Sequence, residues 1–242
     1  MKSISQLNLS QKELIIFDLD GTLMDSVGVW NDIDQQLIQH FCGRLIDLDE
    51  IQRVRDAFVE TFVGDGDKLY PAYGEHLNKY YNFNSTKEDV WDWRVKTATH
   101  YLTKVFDYIP HADKVLLALK QKGLKLALAT NSIGRALDAM KSNKNFDKAP
   151  FDNIFDFVIS SSNVERRKPA PDMYLAVLKH FGIAAERCLV FEDSLEGVQA
   201  GKAAGIEVIN VYDKHSDKER DDINKLADYR IDCYTEILKV IK

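Results

Sequence analysis

Short, largely apolar runs that alternate with helical stretches place the tightest constraint on how this chain folds. The runs are Leu14–Phe17, Leu124–Ala129, Phe157–Ile159, Cys188–Phe191 and Ile206–Val211. Most are rich in Ile, Val, Leu or Phe and lack polar alternation, the pattern of strands covered on both faces. Between the later runs lie helical stretches with legible ends. Ala112–Lys122 stops at Gly123, Pro171–Phe181 opens on a proline and stops at Gly182, and Leu195–Ala204 stops at Gly205; proline suits a first turn and glycine a C-terminal cap. Strand–helix alternation of this kind predicts an α/β fold, a doubly wound parallel sheet.

From about Val27 to Phe106 the texture changes. Apolar residues recur at helical spacing: Trp30, Ile33, Leu37, Phe41; then Ile51, Val54, Phe58, Phe62; then Leu69, Tyr73, Leu77, Tyr80; then Val90, Val95, Ala98, Leu102, Val105. These stripes predict about four amphipathic helices. The first strand precedes the block and the others follow it, so the sequence predicts an α-helical domain over residues 27–107 inserted into a core made of 1–26 and 108–242. The joints fall near Asp25–Gly28 and Asp107–Pro110. The charge run Asp213–Asp222 reads as a solvated loop or helix face.

Bulk properties narrow the partners. The net charge of −6 argues against nucleic acid or an anionic membrane, both of which reward a basic surface. The three cysteines, Cys42, Cys188 and Cys233, lie far apart and offer no metal-ligand spacing. Met1 to Lys12 is polar rather than a signal peptide, and no run approaches the roughly 18 apolar residues of a membrane span. A cytoplasmic protein acting on a small molecule, monomeric or a small homo-oligomer, is the expectation.

The chemistry-bearing residues follow the strand-like runs, where open α/β sheets bind ligands. Asp18-Leu19-Asp20-Gly21-Thr22 follows the first. Residues two apart on extended chain share a side, so both carboxylates are expected to face one spot and to need a compensating cation, with Mg²⁺ the natural choice. Gly21 permits a sharp turn and is expected to leave its N–H free for an anion. By itself, Asp-Gly is also an ordinary strand-end turn. Thr130-Asn131-Ser132 combines a hydroxyl with a helix N-terminus, a phosphate-binding arrangement, although alone it reads first as an N-cap. Lys168, in Arg166-Arg167-Lys168-Pro169-Ala170-Pro171-Asp172, stands ahead of a helix N-terminus, where a bound anion would relieve its repulsion with the dipole. Glu192-Asp193-Ser194 supplies a second acidic pair. Together these are the parts for phosphoryl transfer through an aspartyl-phosphate.

In this order, LIIFDLDGT, LALATNS, RKPAPD and LVFEDS resemble the four motifs of the haloacid dehalogenase superfamily, and the helical insertion resembles the C1 cap of its β-phosphoglucomutase and phosphoglycolate phosphatase-like members. The resemblance implies a Mg²⁺-dependent phosphohydrolase acting on a sugar phosphate or similar small monoester. It implies Asp18 as nucleophile, Asp20 as general acid/base, and Gly21, Thr130, Asn131 and Lys168 as phosphate ligands. Asp18, Asp193 and the main-chain carbonyl of Asp20 are implied as metal ligands, with Glu192 assisting. The alternatives are a phosphosugar mutase of the same superfamily and, from another class, a phospho-accepting regulatory or non-catalytic binding protein. Mutase-like members carry a histidine twelve positions after the nucleophile, whereas this chain has Trp30, expected to pack the first cap helix. The segment Phe146–Asp156 is longer than usual, and Gly64–Lys68 reads first as a plain helix-linking turn and second as a candidate cap loop.

Overall fold

The computed structural model describes residues 1–63 and 66–241; Gly64 and Asp65 of the candidate cap loop lie outside the described residues. Six strands form one parallel sheet: β1 (Leu14–Phe17), β2 (Lys125–Thr130), β3 (Phe157–Ser160), β4 (Cys188–Glu192), β5 (Glu207–Val211) and β6 (Tyr229–Ile231), in the order β3-β2-β1-β4-β5-β6. All five pairings are parallel. The order reverses direction beside β1, the topological switch point at which such sheets open a crevice beyond their carboxyl ends. Register fixes what meets there: Phe17 pairs with Leu128 on one side and Phe191 on the other. The next residue, Asp18, donates its N–H to Phe191 O (3.0 Å).

Four helices, α1 (Val27–Cys42), α2 (Leu48–Thr61), α3 (Gly66–Tyr81) and α4 (Lys87–His100), follow β1, and α4 runs into a π-helical turn at Tyr101–Val105. They form the helical cap and share a core of their own around Leu37, Ile51, Tyr73, Leu77, Tyr81 and Val90. Asp47 caps α2 and Thr86 caps α4 through their side chains, as short oxygen-bearing residues at N-caps do. Within the cap, fully buried Asp34 accepts from Arg94 Nε (2.8 Å) and from the Tyr73 hydroxyl (3.2 Å), so the buried charge is paired.

The remaining helices clothe the sheet: α5 (Ala112–Gln121), α6 (Gly134–Lys141), α7 (Phe151–Ile154), α8 (Asp172–Phe181), α9 (Leu195–Ala203), α10 (Arg220–Leu226) and α11 (Tyr234–Ile241). Alternate residues of each central strand serve opposite faces. Ile15, Phe17, Leu128 and Phe191 pack with residues of α5, α7 and α11, while Leu14, Ile16, Ala127 and Val190 pack with residues of α8 and α9. Burial on both faces is why these strands read as unbroken apolar runs.

Several expectations need correction. Tyr80, Val95 and Val105 sit on the predicted cap stripes yet are exposed, while Tyr81 is buried and the inward position on α4 is held by Arg94. The cause is the buried Asp34, which recruits a cation where an apolar residue was expected. The sixth strand and α11 have no counterpart in the sequence reading. The segment 146–156 is longer because it forms α7 and seats Phe146 and Phe151 against Tyr108. The charge run 213–222 is not merely solvated: Asp213 and Ser216 are buried, and Arg220 donates to Asn210 Oδ1 (3.0 Å).

Candidate active site

Asp18, one residue beyond β1, is buried, and its Oδ1 lies 2.6 Å from Lys168 Nζ. Lys168 arrives from the loop before α8 and is itself buried. Its ammonium donates to Asp18, to Ala129 O (2.7 Å) and to Glu192 Oε1 (2.6 Å), which occupies all three of its hydrogens. Three adjacent strand ends are thereby tied together through one cation. Asn131 Oδ1 accepts from the Lys168 N–H (3.2 Å) and so anchors the loop that delivers the lysine.

Glu192 ends β4 fully buried; the Tyr174 hydroxyl also donates to its Oε1, and its Oε2 has no hydrogen-bond partner. Asp193 is buried beside it and accepts from Thr22 Oγ1 (2.9 Å). Behind them, Asn210 Nδ2 donates to Glu192 O (3.1 Å) and Asp193 O (3.3 Å), holding the strand end from β5. Oxygens of Asp18, Glu192 and Asp193 lie within 4.8 Å of one another.

The electrostatics follow from this crowding. Burial pushes the Asp18 carboxyl up to about 8; Lys168 opposes the shift and Glu192 adds to it. Burial, with Asp18 and Glu192 nearby, likewise holds Asp193 well above the usual carboxylate range. Burial alone would lower Lys168, yet the carboxylates of Asp18 and Glu192 reverse this and raise it. Three buried carboxylates against one ammonium leave two negative charges uncompensated when all are ionised. Hard oxygen donors, an unpartnered carboxylate oxygen and a twofold charge deficit fit a divalent cation.

Asp20 is placed differently from the expectation. The strand ends at Phe17, so two-residue alternation does not carry through the turn, and the described three-carboxylate cluster does not include Asp20. Its Oδ1 accepts from Ser26 Oγ (2.5 Å) and, at longer range, from Trp30 Nε1 (3.5 Å); its Oδ2 accepts from Ser132 Oγ (2.5 Å). Ser26 stands at the N-cap of α1 and makes no capping bond with its side chain: the hydroxyl serves Asp20 instead. Trp30 therefore does more than pack the cap, because its indole N–H points at the second aspartate.

Gly21 is also corrected. Its N–H is not free for an anion but donates to Met24 O (2.8 Å), closing the turn on itself. Glycine is required there for two reasons. The residue adopts φ +80°, and a Cβ would overlap the Asp193 carboxylate. Thr130 is buried at the end of β2, where its Oγ1 accepts from the Ser132 N–H (3.0 Å). Sequence reasoning named Thr22 in the first motif without a role for it and missed Tyr174, Ser26 and Asn210, since common polar residues in a helix or turn carry no local signal of what they reach across the fold.

A parallel sheet of this order, with buried carboxylates and a lysine gathered at adjacent strand ends under a helical cap, defines an α/β protein built around a candidate metal centre. Residues 15–211 match the haloacid dehalogenase-like hydrolase family, and the chain belongs to that family. It is 29% identical over 197 residues to a phosphorylated carbohydrates phosphatase of Thermotoga maritima, covering 81% of this chain and 83% of that one. It is likewise 29% identical over 225 residues to the bifunctional riboflavin kinase/FMN phosphatase of Arabidopsis thaliana, covering 90% of this chain but only 54% of the plant protein. Among solved structures, a haloacid dehalogenase family hydrolase from Deinococcus radiodurans with bound phosphate and sodium superposes with a TM-score of 0.68 at 26% identity, covering 94% of this chain and 93% of that one. Among the described residues, no helix is long and apolar enough to cross a membrane.

Proposed function

We propose that the protein is a Mg²⁺-dependent phosphohydrolase that transfers the phosphoryl group of a small phosphate monoester to Asp18 and then to water. The observation that carries this reading is the Lys168 ammonium shared by Asp18 and Glu192 beside Asp193, a buried carboxylate centre at the switch point of the sheet. Asp18 and Asp193 would hold the cation, which supplies Lewis-acid charge to the phosphoryl oxygens.

Asp18 offers its carboxylate to phosphorus. Lys168 keeps that carboxylate oriented and places positive charge where the phosphoryl oxygens accumulate negative charge. The Thr130 hydroxyl accepts from Ser132 N–H and so retains its own hydrogen for a phosphoryl oxygen. Asp20 stands apart from the metal cluster, in a hydroxyl-lined position where it can hold a proton for the leaving oxygen and later take one from water. Ser26 and Ser132 can turn to accept when Asp20 is protonated, because hydroxyls serve as donor or acceptor. Glu192 anchors Lys168 through Oε1, and its unpartnered Oε2 would assist in holding the cation. Cys42, Cys188 and Cys233 are free thiols, which fits action in a reducing compartment.

The test is phosphate release from a panel of monoesters with Mg²⁺ and with excess chelator, together with trapping of acid-stable or borohydride-reduced phospho-Asp18. Mg²⁺-dependent release with label on Asp18 is expected. Release undiminished by chelator, or label on another residue, would overturn the reading.

A further inference from the structure

The charge run at 213–222 sends one side chain back toward the carboxylate centre. Arg220, the first residue of α10, donates from Nη1 to Asn210 Oδ1 (3.0 Å). Its Nη2 donates to Asp213 O and to Asp217 Oδ1 (3.2 Å), and its guanidinium stands over the Tyr212 ring at 4.7 Å from the centroid. Main chain, carboxylate and ring thus hold the guanidinium while it presents one donor to Asn210. Asn210 is fully buried on β5, in register with Glu192 on β4. Its Nδ2 donates to the carbonyls of Glu192 (3.1 Å), Asp193 (3.3 Å) and Val211 (3.3 Å).

An arginine only donates, so the amide oxygen of Asn210 must face it and the amide hydrogens must face the carbonyls. Turned by half a rotation, the amide would set its oxygen against carbonyl oxygens and its hydrogens against a cation. Arg220 thereby selects one orientation of Asn210. The Glu192 and Asp193 carbonyls belong to the peptide planes on either side of the Asp193 Cα. Each peptide is planar, so holding both planes sets the direction in which the Asp193 side chain leaves the main chain. At its far end that side chain accepts from Thr22 Oγ1 (2.9 Å). Asp193 is therefore aimed from both ends.

We propose that Asn210 and Arg220 are positioning residues for the metal centre: Asn210 aims Asp193 at the cation, and Arg220 keeps Asn210 in the orientation that does so. This rests on the assignment of Asp193 as a metal ligand above. The sign of the effect separates positioning from charge. Removing Arg220 takes a positive charge away from the neighbourhood of three buried carboxylates, which by itself tightens cation binding. Loss of the Asp193 orientation weakens it, as loss of a partner behind a metal ligand does.

The experiment measures binding of Mg²⁺ alone to the full chain, without substrate, by calorimetry well below the melting temperature. Arg220→Met, which keeps a side-chain stem but no donor, is expected to weaken Mg²⁺ affinity by roughly tenfold, the lower end of the cost of losing such a partner. Asn210→Ala is expected to weaken it at least as much. Because Arg220 acts through Asn210, adding Arg220→Met to Asn210→Ala is expected to cost nothing further. A merely structural role would lower the melting temperature of the metal-free protein and leave the affinity of the folded protein unmoved. Affinity unchanged or tightened in Arg220→Met, or additive losses in the double variant, would overturn the proposal. Where one single variant does not fold, the other decides by the same criterion. No Mg²⁺ binding by the unsubstituted protein would instead remove the metal-centre reading, and this inference with it.

Discussion

Gly197 lies so close under the carboxylate of Glu192 that a Cβ at position 197 would overlap it. The glycine is the third residue of α9, and its N–H donates to the Ser194 cap (3.2 Å). It therefore serves a helix start and a catalytic-site wall together. Glu192 in turn holds Lys168, so a methyl group at 197 acts on Asp18 through two contacts. Gly197→Ala is expected to lower stability by about 1–3 kcal/mol, as overpacking does, and to depress turnover beyond what that loss explains. Thermal melts alongside kcat would check it; a variant with native melting and native kcat would show that Glu192 has room the structure does not provide.

Asp18→Asn should keep the fold and lose activity by more than about 10³-fold, the scale for loss of a nucleophile. Lys168 retains Glu192 and Ala129 O as partners, so the site does not collapse for want of the ionised carboxylate. Circular dichroism and phosphate release measured on the same sample decide the matter, and substantial residual turnover would move the nucleophile elsewhere.

Asp20→Asn should slow alkyl esters by about 10²–10⁴-fold, the usual worth of acid–base help. p-Nitrophenyl phosphate, whose leaving group needs no proton, should suffer less. The separation of Asp20 from the metal cluster motivates the contrast: its two oxygens face Ser26, Ser132 and Trp30. Equal loss on both esters would instead make Asp20 a structural or metal-holding group.

Mg²⁺ binding should strengthen as pH rises toward 8. Asp18 is raised from its ordinary 3.8 to about 8 by burial, so between those values the folded metal-free protein retains a proton that the unfolded chain has released. Stability of the metal-free form therefore falls as pH rises through that window, and a cation that displaces the proton restores more of it at the alkaline end. The Mg²⁺-induced rise in melting temperature is expected to be larger near pH 8 than near about pH 6, with proton release on binding visible by calorimetry in buffers of different ionisation enthalpy. A pH-independent shift would place the cation away from Asp18.

The sequence by itself made legible five of the six strands, a helical insertion after the first of them, and the candidate residues at the strand ends. Strands buried on both faces must be apolar throughout, which made Leu14–Phe17 and Cys188–Phe191 readable, and strand ends at a switch point must converge, which singled out Asp18, Lys168 and Asp193. Only the tertiary structure decided how the charges are shared. That Lys168 joins Asp18 to Glu192, that Asp20 turns away to Ser132, and that the Gly21 N–H is consumed by Met24 depend on contacts between residues far apart in the chain or on the exact closure of a turn. Arg94 facing inward on α4 has the same origin: a buried Asp34 on another helix selects it. Local periodicity reports whether a position meets apolar surroundings or water. It carries no record of which distant partner a buried polar group finds, and the chemistry of this site is made of such partners.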